Sequence, residues 1–203
     1  PEALSFFSLE NFSGKKVPVK LHMGEKNNPY FVKPDLVKRV VDELKKTKAK
    51  PFLFDTTVAY DGSRHTKTEY KKLADLHGFN MTNVGCHVVI DDSGVPTSIE
   101  GRTFEVADHL KAATHIFALT HVKGHIQSGM GGAIKNFGMG GVTKETKIRI
   151  HDSSYPAYQK DACIYCRVCA EICPFHAIKV DEESWEYNEE KCFGCGACVD
   201  ACQ

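Results

Sequence analysis

"KKVPVKLHMGEKNNPYFVKPDLVKRVVDELKKTKAKPFLFDT" spans residues 15–56 and changes its apolar period twice. "KKVPVKLHM" (15–23) alternates apolar and polar residues, which is the pattern of a strand. In "PDLVKRVVDELKKT" (34–47), Leu36, Val37, Val40, Val41 and Leu44 recur on one helical face, and Pro34 suits a first helical turn. "PFLFDT" (51–56) is short and apolar, as in a buried strand. Strand, helix, strand in this order implies a right-handed crossover and parallel pairing.

The pattern continues. Thr66 and Glu69 have capping-box spacing, opening a helix that should run to about His77 and stop at Gly78. "CHVVI" (86–90) reads as a strand ended by the turn-rich "DDSGVP", "VADHLKAA" (106–113) as a short helix, and "THIFALT" (114–120) as a buried strand. The expected class is α/β, a mostly parallel sheet with helices on both faces. Cys86 opens an apolar strand and reads as an inert buried thiol.

The cysteines divide the chain. Eight of nine fall between Cys163 and Cys202, and "HDSSYPAYQK" (151–160) looks like a linker. We therefore expect an α/β domain over 1–155 and a small cysteine-rich module over 156–203. The module repeats with a period of 29: "CIYCRVCAEICP" (163–174) and "CFGCGACVDACQ" (192–203) are both C-x2-C-x2-C-x3-C. Disulfides or paired zinc sites are the alternatives, but a zinc site gains nothing from a doubled four-cysteine run.

This segment resembles the bacterial-type ferredoxin with two [4Fe–4S] clusters. Pro174 follows the first run, and "AIKV" (177–180) fits that family's strand. In that arrangement three thiolates of one run and the last of the other hold each cubane. One cluster falls to Cys163, Cys166, Cys169 and Cys202, the other to Cys192, Cys195, Cys198 and Cys173. Gly194, Gly196 and Ala197 let backbone N–H groups approach the sulfides. The second run departs from the family, with Gln203 where proline is expected, and the closing strand is missing. We expect the natural chain to continue beyond Gln203 and, since Pro1 is no initiator residue, to begin earlier.

"THVKGHIQSGMGGAIKNFGMGG" (120–141) holds seven of the sixteen glycines, two His, two Lys and no acid. It follows a strand, so it should lie at the C-terminal rim of the sheet, where open α/β sheets bind ligands. Glycines let the backbone approach an anion closely. Neither G-x-G-x-x-G nor a P-loop fits. His121, Lys123, His125 and Lys135 are the candidate catalytic groups. Gly129, Gly131 and Gly132, with His22, Asp55 and Arg64 from neighbouring strand ends, are candidates for holding an unidentified anion, nucleotide or metal. Glu25, Tyr60 and His65 belong to the same rim. Each has a plainer reading: His22 as a core histidine, Asp55 as a turn cap, Lys135 as a solvated lysine, His121 and His125 as structural donors.

Taken together, "VKLHMGE" (19–25), "FDTTVAYDGSRH" (54–65) and "LTHVKGHIQSGMGGAIKNFGMGG" (119–141) resemble the domain-of-unknown-function 362 family over most of residues 15–150. That resemblance implies an iron–sulfur protein of anaerobic or microaerobic metabolism and assigns no catalytic roles.

Formal net charge is zero and no apolar run approaches a membrane span, so neither nucleic acid nor membrane is expected as partner. Cluster thiolates suit the reducing cytoplasm. The leading expectation is a redox protein, an oxidoreductase if it is an enzyme, in which two clusters relay electrons between a redox partner protein and a small-molecule substrate. The rivals are a ferredoxin-like carrier whose α/β domain docks on an enzyme, and a non-redox enzyme with structural or sensory clusters.

Overall fold

The computed structural model describes residues 2–125, 128–152, 154–192 and 194–202. The chain divides into two units. The first comprises residues 1–123 and 131–147, the second 124–130 and 148–203.

In the first unit four parallel strands form the sheet. They are β1 (Lys16–Lys20), β2 (Lys50–Asp55), β3 (Val88–Ile90) and β6 (Phe117–Ala118), in the order β3-β2-β1-β6. Alternation along the strands feeds two cores. Val17, Val19 and Leu53 face a large cluster with Val37, Val41 and Leu44 of the helix Pro34–Lys46 and Tyr70 and Leu73 of the helix Lys67–Leu76. Phe54 faces the other side, against Ala107, Leu110 and the partly buried Phe137. Each buried aliphatic side chain contributes roughly 1.5–3 kcal/mol. The α/β class with helices on both faces therefore holds. Thr66 caps its helix as its spacing predicts, accepting from the Glu69 N–H at 3.2 Å and donating to the Glu69 carboxylate at 2.8 Å.

Local readings differ in three places. "DDSGVP" does not end the β structure. Gly94–Ile99 (β4) pairs antiparallel with Arg102–Ala107 (β5), and only Asp108–Lys111 is helical in "VADHLKAA". Pro96 lacks an N–H, but a two-stranded ribbon has free edges that tolerate it. "THIFALT" contributes only Phe117–Ala118. The glycine-rich stretch is not one loop: it forms a ribbon of Lys123–His125 (β7) with Gly129–Gly131 (β8), then the helix Ala133–Gly138. The linker segment starts in a helix, Lys144–Asp152.

In the second unit, Ile178–Val180 (β9) pairs antiparallel with Trp185–Tyr187 (β10), and the short helices Val168–Glu171 and Ala197–Asp200 pack together. Tyr158 stacks on Trp185 at 4.7 Å with the rings nearly parallel. Gln203 lies outside the described residues. Among the described residues no helix is long and apolar enough to cross a membrane.

Candidate functional site

The rim of the α/β unit is built on a buried charge pair. Lys20 ends β1 on the face away from the larger core, and Asp55 ends β2. Their groups meet at 2.8 Å, both nearly inaccessible to solvent. Lys20 also donates to the Asn136 side-chain oxygen at 2.7 Å. A Cβ at Gly140 would lie 2.5 Å from the Lys20 ammonium, so glycine there leaves the room it occupies. The Asn136 amide in turn donates to the Leu119 carbonyl at 3.2 Å and the Thr120 hydroxyl at 3.0 Å. It thereby ties the helix Ala133–Gly138 to the ends of β1 and β6.

Asp55 accepts from the Tyr70 hydroxyl at 2.5 Å and the Thr56 N–H at 3.0 Å. Burial alone would raise its carboxyl, yet Lys20 above all, with Lys147 adding to it, holds it below the usual carboxylate range. Tyr70 moves the opposite way, pushed well up by burial and by the Asp55 charge. Lys147 is buried and donates to the Thr56 hydroxyl and the Thr57 carbonyl. Burial brings it down to about 8 despite Asp55 and Asp92. Asp92 accepts from the Thr57 hydroxyl at 2.5 Å and its N–H at 3.0 Å.

A second pair flanks the first. Arg64, buried, donates from Nε to Glu25 at 2.8 Å and bonds the Tyr60 hydroxyl. Burial pushes Tyr60 up; Glu25, which burial would raise, is held down by Arg64. His22 lies just past β1. Its Nδ1 accepts from the Gly24 N–H at 3.0 Å, which leaves the proton on Nε2. Burial first, then Arg64, lower His22 to about 3, so it is neutral at physiological pH.

His22, Asp55 and Arg64 thus lie in one electrostatic cluster, and Lys123 and Lys135 share it: Lys135 is lowered by burial, then by Lys123 and Arg64. Gly131 lies under the Lys123 stem, where a Cβ would be 3.5 Å from Cγ. Gly132 precedes the helix carrying Lys135. His121 is exposed and adds no contact to this cluster among the described residues. His125 and Gly129 belong to the other unit, where the Ser128 N–H donates to His125 Nδ1 at 3.3 Å. His125 lies in β7 and His121 outside any helix, so they do not share a helical face. Sequence reading missed Lys20, Tyr70, Asn136 and Lys147, whose partners are distant in the chain.

The cysteine unit shows its repeat in the backbone. Tyr165 and Gly194 have φ of 55° and 61°, and Arg167 and Gly196 have 67° and 78°. Both runs therefore turn left-handed at their third and fifth positions. Tyr165 and Arg167 adopt there a conformation that costs ordinary side chains about 1–2 kcal/mol. Such turns aim successive N–H groups into a concavity. Cys173, Cys192, Cys195 and Cys198 line one cavity together with Phe175 and Ile178. Burial and the three neighbouring cysteines push the Cys198 thiol up. The Ala177 and Gly194 N–H groups donate to the Cys173 and Cys192 sulfurs, each at 3.3 Å. Among the described residues the buried Tyr187 hydroxyl has no ordinary hydrogen-bond partner, and the Cys192 sulfur is beside it. Cys163 and Cys169 are half-buried, and Cys166 and Cys202 exposed. Among the described residues no three His, Cys, Asp or Glu side chains are grouped as one metal ion would require. In a cubane each thiolate binds a different iron, so the sulfurs surround a cluster rather than a point. The four sulfurs around that cavity, with their N–H donors, are the donor set such a group takes.

The family described as Domain of unknown function (DUF362) matches residues 17–200. The chain belongs to it. The DUF362 match spans both units, whereas similarity to curated proteins is short. Forty residues are 50% identical to a subunit of the ion-translocating oxidoreductase complex of Methanosarcina acetivorans, covering 20% of this chain and 15% of that protein. Fifty are 32% identical to the delta subunit of the NADH-dependent phenylglyoxylate dehydrogenase of Aromatoleum evansii, covering 25% and 54%. Forty-four are 48% identical to the polyferredoxin-like subunit of the aliphatic sulfonate oxidoreductase of Pyrococcus furiosus, covering 20% and 25%. The DUF362 chain thus spans about half or less of these relatives' lengths. Its coordinates also resemble the lactate racemase apoprotein from Thermoanaerobacterium thermosaccharolyticum, at 13% identity and a TM-score of 0.48, over 95% of this chain and 41% of that one.

Proposed function

We propose that this chain is an iron–sulfur redox protein whose two [4Fe–4S] clusters relay electrons to or from a small molecule held at the rim of the α/β unit. The observation that carries the reading is the cysteine repeat, with left-handed backbone at equivalent positions of both runs and four sulfurs around one cavity. Cys173, Cys192, Cys195 and Cys198 hold one cluster, and Cys163, Cys166, Cys169 and Cys202 the other. Bound clusters supply single-electron transfer. The chain's own residues set the conditions. N–H groups of Ala177 and Gly194 stabilise thiolate charge. At the rim, the Lys20–Asp55 pair fixes strand ends and helix relative to each other, and neutral His22 presents a proton at Nε2.

Native mass spectrometry of anaerobically purified protein, with iron and sulfide analysis, tests this. Two cubanes per chain are expected, and a bound small molecule in addition identifies the rim's ligand. Zinc in place of iron sinks the proposal.

A second reading draws on the relatives, whose names make them subunits of oxidoreductases. There the α/β unit docks on a partner enzyme and the clusters act as its carrier. A stable complex with a partner, combined with a rim that takes no small molecule, distinguishes it.

A further inference from the structure

The rim of the α/β unit carries more positive charge than its own carboxylates answer. Lys20, Arg64, Lys123, Lys135 and Lys147 face Glu25, Asp55 and Asp92, which leaves two positive charges over. The surplus can be located. Lys20 is paired with Asp55 and Arg64 with Glu25. Lys147 spends its donors on the Thr56 hydroxyl and the Thr57 carbonyl, with Asp55 and Asp92 nearby. Lys123 and Lys135 have neither an acceptor nor a carboxylate among the described residues.

Lys135 is half-buried, and such a lysine normally finds a counter-charge, because removing an ammonium from water beside other cations is costly; Lys123 beside it is exposed. Here the lowering influences on Lys135 come from burial, Lys123 and Arg64, with no acid opposing them. The backbone is arranged to allow this. Gly131 gives the Lys123 stem a floor, and Asn136, next to Lys135, is held by three acceptors from β1 and the segment after β6, namely the carbonyls of Lys20 and Leu119 and the Thr120 hydroxyl. The lysines are therefore on fixed supports. His22 adds a neutral donor: Nδ1 is occupied by the Gly24 N–H, and Nε2–H has no acceptor among the described residues.

We infer that Lys123, Lys135 and His22 Nε2–H form an oxyanion site that takes the carboxylate or phosphate group of a small-molecule substrate. Two ammonium groups neutralise the anion, and an uncharged imidazole donates a directed hydrogen bond without adding charge. His121 and His125 take no part in it. The inference rests on the reading of this rim as the ligand site, and it narrows that ligand from any anion, nucleotide or metal to a molecule bearing an oxyanion.

The test is calorimetric titration of the anaerobically purified, cluster-loaded chain at low ionic strength, once with inorganic phosphate and once with acetate. Saturable binding of at least one is expected. Phosphate alone assigns a phosphate ester, and acetate alone a carboxylate. Lys123→Gln and Lys135→Gln should each weaken binding at least about tenfold, the scale of one charge-assisted hydrogen bond. Lys72→Gln, on an exposed helix face, should leave it unchanged. Neither rim lysine has a partner among the described residues, so both variants should fold normally. Failure of both anions to saturate overturns the site, as does equal weakening by all three variants. The relay is judged separately, from the rate of cluster reduction with and without bound anion. An anion that binds at Lys123 and Lys135 but leaves that rate unchanged preserves the oxyanion site and removes the relay.

Discussion

In the α/β unit Val17, Val19, Leu21, Val37, Val41, Leu44 and Leu53 are fully buried. Among the described residues 148–202, only Ala177 and Ile178 of the apolar side chains are buried, and Ile164 is 78% exposed. The first unit can be held by apolar burial. The second has too little to bury for its conformational entropy to be offset that way. It keeps three non-glycine residues, Tyr165, Arg167 and His176, at positive φ, two of them inside the first cysteine run. In such a unit ligation supplies folding free energy, as metal binding does in small metal-dependent domains.

The sharpest way to break this contrast is to remove the clusters. Chelation of iron, or Cys198→Ser, should abolish amide protection across residues 163–202 and leave the helices Pro34–Lys46 and Lys67–Leu76 protected, as hydrogen exchange would report. A cysteine unit that keeps its protection without iron contradicts the comparison outright.

The next largest effect belongs to the α/β unit. Lys20→Met leaves the Asp55 carboxylate buried and short of a counter-charge, which costs about 3–5 kcal/mol in urea unfolding. Adding Asp55→Asn should restore a large part of it, since the amide oxygen still accepts from Tyr70. If the double variant is no more stable than the single one, the pair is not the keystone of the rim.

A smaller effect appears with pH. An unfolded histidine takes a proton near 6.5, whereas folded His22 resists it down to about 3. Its contribution is complete above about 6.5 and declines as pH falls through that window, by about 1.4 kcal/mol per pH unit. Asp55 and Glu25, both held low, add to the loss only below the ordinary carboxylate range. His22→Gln should flatten the slope between pH 6.5 and pH 4.5 in the α/β unit's unfolding. A slope that persists in the variant assigns the titration elsewhere.

The smallest effect returns to the cysteine unit. Tyr187→Phe removes the hydroxyl beside Cys192 and should lower the potential of that cluster by less than about 40 mV, the scale of a full hydrogen bond in a one-electron couple. An unchanged potential in an electron paramagnetic resonance titration places the hydroxyl outside the cluster's influence.

Where local pattern decides, the sequence is a good guide. The period change between residues 15 and 56 is the β1–helix–β2 crossover, and Thr66 with Glu69 marks a helix start by side-chain chemistry alone. The hairpin Gly94–Ala107 was illegible because Gly94 and Pro96 carry turn signals, and pairing with β5 overrides them. At the rim, Asp55 and Arg64 could be nominated because polar groups at strand ends invite it. Lys20 could not: a lysine alternating with valines reads as solvent-facing, and only Asp55, 35 positions away, and Asn136, 116 away, reveal why it is buried. Lys147 has the same history, its partners lying about 90 positions off. His121 and His125 are four apart in the sequence, a spacing that brings side chains together only on a helix; no helix forms there, and His125 lies in β7.

The stacking of Trp185 on Tyr158 has a practical consequence. Trp185 is the chain's one tryptophan, and it sits in β10, inside the cysteine unit. Intrinsic indole emission is therefore a private optical reporter of that unit. A bound cluster nearby absorbs the emitted energy, so assembly of the iron–sulfur centre dims the signal and loss of iron restores it, while events in the α/β unit pass unseen.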